Sequence, residues 1–179
     1  MSPEDTLARL QAQFGAAILA QHAHRGDCTL VVAVSELLQV ASALRHDAAW
    51  SFDMPVDCTA VDYLGRPGPR FEVVWHLYAT GSGQRLRLKV GVTEADPSCP
   101  SLTPIWPGMN WHEREAWDLY GIRFTGHPNL KRVLMYESFV GHPLRKDYPI
   151  DGRQPLIPMR PVRQVPTQRQ PPADLLNRP

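Results

Sequence analysis

The chain has 179 residues, a net charge of +1 and 43% hydrophobic residues, which suffices for one domain with a real core. That balance gives no electrostatic reason to expect a nucleic-acid partner, and no stretch approaches the ~18 uninterrupted apolar residues of a membrane helix. The opening MSPEDTLARL lacks an apolar signal core and an Arg-rich transit pattern, so the expected location is the cytoplasm of a bacterial-type cell.

Leu7, Leu10, Phe14 and, beyond Gly15, Ile18 form one apolar stripe at helical spacing, which predicts a first helix over 4–14. DCTLVVAV (27–34) reads as a short strand. Ser35 then stands where an N-cap belongs, and SELLQVASALRH predicts a second helix through about His46. VDCTAVDY (56–63) reads as a strand. RFEVVWHLYA (70–79) and QRLRLKVGV (84–92) flank a Thr80–Gly83 connection and predict a hairpin. In its second arm Leu86, Leu88, Val90 and Val92 alternate with Arg85, Arg87 and Lys89, the mark of one buried and one wet face. Val73, Val74 and Trp75 are consecutive, so the first arm is expected inside the sheet with both faces covered.

A loop punctuated by Pro97, Pro100, Pro104 and Pro107 follows, and then a helix, NWHEREAWDLYG. Asn110 is its expected N-cap, Glu113 its capping-box partner and Gly121 its stop. The element order predicts an α+β fold: a two-layer domain with helices packed on a mixed, partly antiparallel sheet. Beyond it, residues 151–179 carry five Arg, two Asp and little periodicity, which suits either a disordered tail or an extended Pro-rich C-terminal arm ordered on a partner; Leu156, Ile157, Met159, Leu175 and Leu176 favour the arm.

No enzyme chemistry is legible in the residues. Cys28, Cys58 and Cys99 are widely spaced without a C-x-x-C pair, so three thiols cannot supply the four ligands of an iron–sulfur cluster and are expected as reduced core cysteines. HEREA (112–116) misses the zinc-binding H-E-x-x-H pattern because position 116 is Ala. On that helix Arg114 and Asp118 are expected to pair at i,i+4, with Glu113 capping. Glu115 and Asp118 share a face at i,i+3, which calls for a basic counter-ion from 131–146 or from another chain. Gly-His-Pro occurs twice, at 126–128 and 141–143, and each copy precedes a basic pair, Lys131-Arg132 and Arg145-Lys146. His127 and His142 are expected to be structural or interfacial, the rival being a metal enzyme that uses His112, His127 and His142. Trp106, Trp111, Trp117, Tyr120 and Phe124 read as packing, although aromatics beside a charged helix also suit an interface.

The stretch from 110 to 150 resembles the signature region of the thirty-kilodalton subunit family of NADH-quinone oxidoreductase, respiratory complex I. The shared positions are Glu113-Arg114-Glu115, Asp118, Gly121-Ile122, Phe124, Gly126-His127-Pro128, Leu130, Arg132 and Gly141-His142-Pro143-Leu144-Arg145-Lys146-Asp147-Tyr148-Pro149; TAVDY (59–63) and RFEVVWHL (70–77) join them. The resemblance implies a structural peripheral-arm subunit that docks on the forty-nine-kilodalton subunit of an enzyme moving electrons from NADH to quinone and pumping protons. It implies no active site, redox centre or metal in this chain, with FMN and iron–sulfur clusters in partner subunits. It also implies a place on the cytoplasmic side of the bacterial plasma membrane, reached only through the complex. The equivalent subunit of a related membrane-bound nickel-iron hydrogenase is the alternative. The docking residues expected on this basis are Glu113, Arg114, Glu115, Asp118, His127, Arg132, His142, Arg145, Lys146 and Asp147. The chain then divides into an α+β domain (1–125), a docking segment with both Gly-His-Pro bends (126–150) and the arm (151–179).

Overall fold

A computed structural model describes residues 2–157. Ser2 opens helix α1 (Pro3–Phe14): its Oγ accepts the Asp5 N–H at 3.1 Å, and Pro3 fits the first turn because an N–H there would lack a helical acceptor. Ile18 does not extend that helix's stripe. It begins strand β1 (Ile18–His24), in which it alone is buried, and β1 pairs antiparallel with β2 (Asp27–Val32). The connecting residues Arg25 and Gly26 have φ of 53° and 88°, the left-handed pair that a two-residue hairpin turn needs to match strand twist. The second helix, α2 (Leu37–His46), starts without a side-chain cap. Ser35 lies in a preceding 3₁₀ turn, where its hydroxyl meets Glu36 Oε1 at 3.2 Å instead of a helix N–H.

Strands β3 (Met54–Asp62), β4 (Phe71–Ala79) and β5 (Gln84–Val92) complete a five-stranded sheet in the order β1-β2-β5-β4-β3. Only the β2–β5 pair is parallel, so the sheet is mixed and the fold is α+β. Alternation places Leu30, Leu86, Leu88, Val90, Val73, Trp75, Cys58 and Ala60 on one face, where they pack with Leu7 and Leu10 of α1 and Leu37, Val40 and Leu44 of α2 in a single core. Each large side chain buried there contributes about 1.5–3 kcal/mol relative to exposure. β4 lies between β5 and β3, as the consecutive apolar residues predicted. Among the described residues no helix covers its second face; Glu72, His76 and Tyr78 are half-buried there, and Lys89 meets Glu72 at 2.7 Å.

Part of the proline-rich loop forms a short strand, β6 (Ser98–Pro100), which pairs in parallel with β7 (Arg123–Thr125). Between them runs helix α3 (Met109–Tyr120), which packs against β3. Its N-terminal boundary residue is Gly108 rather than Asn110, with no side-chain cap. Gly121 ends it in the left-handed conformation, φ 78°, as a C-terminal glycine should. Residues 126–157 then cross the body without helix or strand. The expected arm lies outside the described residues from 158 onward.

Candidate docking surface

Asp118, fully buried in the last turn of α3, holds the irregular segment in place. Its Oδ2 accepts three consecutive backbone N–H groups, those of Val133, Leu134 and Met135, each at 2.9 Å. Its Oδ1 accepts Arg132 Nη1 at 2.5 Å. Burial alone would raise the Asp118 pKa, but these donors outweigh it and hold the carboxyl below the usual carboxylate value. Arg132 Nη2 in turn donates to the carbonyls of Phe139 and Gly141, so one guanidinium ties both ends of the 132–141 loop to the helix. The counter-ion expected from 131–146 is therefore Arg132. The expected Arg114–Asp118 pair does not form: Arg114 Nε and Nη2 donate instead to the carbonyls of Lys131 and Arg132.

A second tether sits at the base of the β3–β4 connection. Arg70, 6% exposed, donates Nε and Nη2 to the two oxygens of Asp62 at 3.2 and 3.1 Å, reaches Asp147 Oδ1 at 2.8 Å, and pairs with Glu94. The Lys146 N–H donates to Asp62 Oδ2 at 2.9 Å, which brings the second basic pair onto this cluster. The Lys146 side chain stays exposed, and Arg145 lies over the Phe71 ring at 4.9 Å. Sequence reasoning misses Asp62, Arg70 and Glu94 as members of this cluster. The antiparallel register, which sets Asp62 opposite Phe71, is the feature that places Asp62 beside Arg70.

Both Gly-His-Pro copies bend at glycines of positive φ, 80° at Gly126 and 88° at Gly141. His127 bridges two backbone groups: Nδ1 accepts the Asn129 N–H at 3.0 Å, and Nε2 faces the Asn110 carbonyl at 3.1 Å. His142 Nδ1 faces the Asp118 carbonyl at 2.9 Å, and its ring packs edge-on to Trp117. Desolvation lowers the pKa of both imidazoles and so favours their neutral forms in the fold. Gly121 has a second reason to lack a side chain, because a Cβ there would stand 2.7 Å from the His142 ring. His112 pairs with Asp57 at 3.4 Å, so the three histidines of the metal reading each face a different partner. Among the described residues no three His, Cys, Asp or Glu side chains converge on a common point.

Glu113 does not cap α3; it turns inward, fully buried. Its carboxyl accepts Ser101 Oγ at 2.5 Å, the Leu102 N–H at 2.7 Å and Thr103 Oγ1 at 3.2 Å, fastening the proline-rich loop to the helix. Desolvation pushes its pKa up to about 7 despite these donors. Glu115, expected to share a face with Asp118, is exposed while Asp118 is buried. The three thiols are buried and free, as expected of reduced core cysteines, and desolvation raises the pKa of each. Trp106 and Phe124 are core residues as expected, whereas Trp111 is exposed.

The tethered segment exposes several large apolar side chains among charged ones such as Glu137, Asp147 and Arg153. Leu134, Val140, Leu144, Ile150, Leu156 and Ile157 are all exposed, interspersed with Lys131 and Lys146. Large apolar side chains held outward on an irregular but pinned backbone are unusual on a monomer and suit a protein interface. Among the described residues no helix is long and apolar enough to cross a membrane.

Residues 30–154 match the family described as "Respiratory-chain NADH dehydrogenase, 30 Kd subunit". The NADH-quinone oxidoreductase C subunit of Roseiflexus castenholzii is 49% identical over 148 residues, covering 83% of this chain and 84% of that one. The same-named protein of Geobacter sulfurreducens is 44% identical over 144 residues, covering 80% and 88%. The solved "Nqo5 of the trypsin-resistant fragment (1-134)" superposes with a TM-score of 0.60 at 32% identity, covering 73% of this chain and all of the fragment. A chain of the archaeal membrane-bound sulfane sulfur reductase shares the fold, with a TM-score of 0.66 at 19% identity over 82% of this chain and 85% of that one. The chain belongs to the 30 kDa subunit family of respiratory-chain NADH dehydrogenase.

Proposed function

We propose that this chain is a peripheral-arm subunit of NADH:quinone oxidoreductase that docks on the forty-nine-kilodalton subunit, holds no redox centre of its own, and lies on the cytoplasmic side of the bacterial membrane. Family membership supports the assignment to the complex. The observation that carries the docking role is the 126–157 segment: it has no regular secondary structure, is fastened through Asp118 and Arg70, and turns Leu134, Val140, Leu144 and Ile150 outward. Such a surface gains burial only when another protein covers it. Fastening it in the free chain lowers the ordering cost of association.

The test is a Val140→Asp, Leu144→Asp double variant, purified by affinity tag from the native membrane. Loss of the forty-nine-kilodalton subunit and the other oxidoreductase subunits is expected, with the melting temperature of the isolated chain nearly unchanged because both side chains are exposed. A fully assembled, active complex would sink the docking role. Stoichiometric iron or flavin on the purified chain would sink the scaffold reading.

A further inference from the structure

Trp111 is not part of the hydrophobic core among the described residues. It is 62% exposed on α3, whereas Trp50, Trp75 and Trp106 are buried and Trp117 is half-buried. Arg114, one turn along the same helix face, lays its guanidinium over the Trp111 ring at 4.6 Å. Two carbonyls hold that guanidinium from behind, Lys131 at 3.1 Å to Nε and Arg132 at 3.3 Å to Nη2. Arg114 Nη1 has no acceptor among the described residues. A flexible cation is thus fixed in advance over an indole, with one N–H edge unused, and it is joined directly to the docking segment.

We propose that Trp111 and Arg114 form the anchor of the docking surface. Trp111 enters an apolar pocket of the partner subunit, and Arg114 Nη1 meets a carboxylate at the rim of that pocket. The inference rests on the docking reading above and deepens it. Three observations favour a partner subunit of this chemistry. The surface is continuous with the 131–132 backbone of the docking segment, the open edge of Arg114 calls for an anion, and an immobilised Trp–Arg pair loses little entropy on binding. Trp and Arg are also the residue types that dominate interface energetics.

The experiment compares Trp111→Glu, Trp111→Phe and Val140→Asp/Leu144→Asp in the full chain, each purified from the native membrane with its partners quantified. Trp111→Glu is expected to cut partner retention about tenfold or more, as loss of an anchor should, while Trp111→Phe keeps most of it. The isolated Trp111→Glu chain should melt at nearly the parental temperature. Undiminished retention in Trp111→Glu overturns the anchor; if Val140→Asp/Leu144→Asp releases the partner in the same experiment, the docking reading survives alone. Undiminished retention in both overturns both. If the isolated chain dimerises and Trp111→Glu abolishes the dimer without affecting partner retention, the face pairs two copies and the proposal falls.

Discussion

Arg132 Nη1 stands 2.5 Å from Asp118 Oδ1, and this ion pair fixes where the 126–157 segment crosses α3. The Asp118 carboxylate is fully buried, so removing it strands both the guanidinium and three backbone N–H groups. Asp118→Ala should cost about 3–5 kcal/mol, the usual penalty for breaking a buried pair from one side. Asp118→Asn keeps one acceptor oxygen and should cost roughly 1–3 kcal/mol. Denaturant melts of the isolated chain check both, and an Asp118→Ala chain as stable as the parent would contradict the arrangement.

Gly121→Ala combines two penalties at one position. The left-handed backbone disfavours any Cβ by about 1–2 kcal/mol, and this Cβ would press into the His142 ring. The expected result is a lower melting temperature together with weaker retention of partners, because the second Gly-His-Pro bend must shift. A substitution that lowers stability but leaves assembly intact would show that the bend is not part of the interface.

Arg70→Lys keeps the charge but not the fork. A single ammonium cannot meet both oxygens of Asp62 and also reach Asp147, so a loss of roughly 1–3 kcal/mol is expected. A double-mutant cycle with Asp147→Asn should show coupling between the sheet and the segment. Additive effects would mean that Asp147 does not hold the segment to Arg70.

The buried Glu113 gives stability a pH dependence of known sign. Its folded pKa, about 7, lies above the ordinary 4.5, so the protonated form is favoured in the fold. That contribution is complete below about pH 4.5 and is lost as pH rises through 7, in total about 3 kcal/mol at 1.36 kcal/mol per unit. His127 and His142 act in the opposite direction over the same range: their lowered pKa values cost stability as pH falls below the ordinary 6.5. Glu113→Gln should remove the fall between pH 5 and 7 and leave the acid-side loss due to histidine. A Glu113→Gln profile from pH 5 to 8 with the same slope as the parent's would contradict the buried-carboxyl assignment.

The elements that could be read in advance are those in which side-chain period and burial coincide. The β4–β5 hairpin, α1 and the Gly121 stop of α3 all carry strict alternation, helical spacing or a left-handed position that only local chemistry decides. Strand β1 could not be read, because ILAQHAH is exposed at six of seven positions and carries neither alternation nor β-branched enrichment. Its existence depends on pairing with β2. The charged residues show the same division. The family pattern marked Asp118, Arg132 and Asp147, but local helix rules paired Asp118 with Arg114 and made Glu113 a cap. Tertiary contacts override those i,i+3 and i,i+4 preferences, which amount to only about 0.2–0.5 kcal/mol in isolation. Arg70 carries no local signal, since its partners come from β3, from beyond β5 and from the segment.

Affinity purification of the unaltered tagged chain from its native membrane, with identification of every co-purifying subunit, tests the central claim most directly. The account predicts the forty-nine-kilodalton subunit together with the flavin- and cluster-bearing subunits, and NADH-driven quinone reduction in the eluate. Recovery of the chain alone, or only with a nickel-containing hydrogenase, would contradict it.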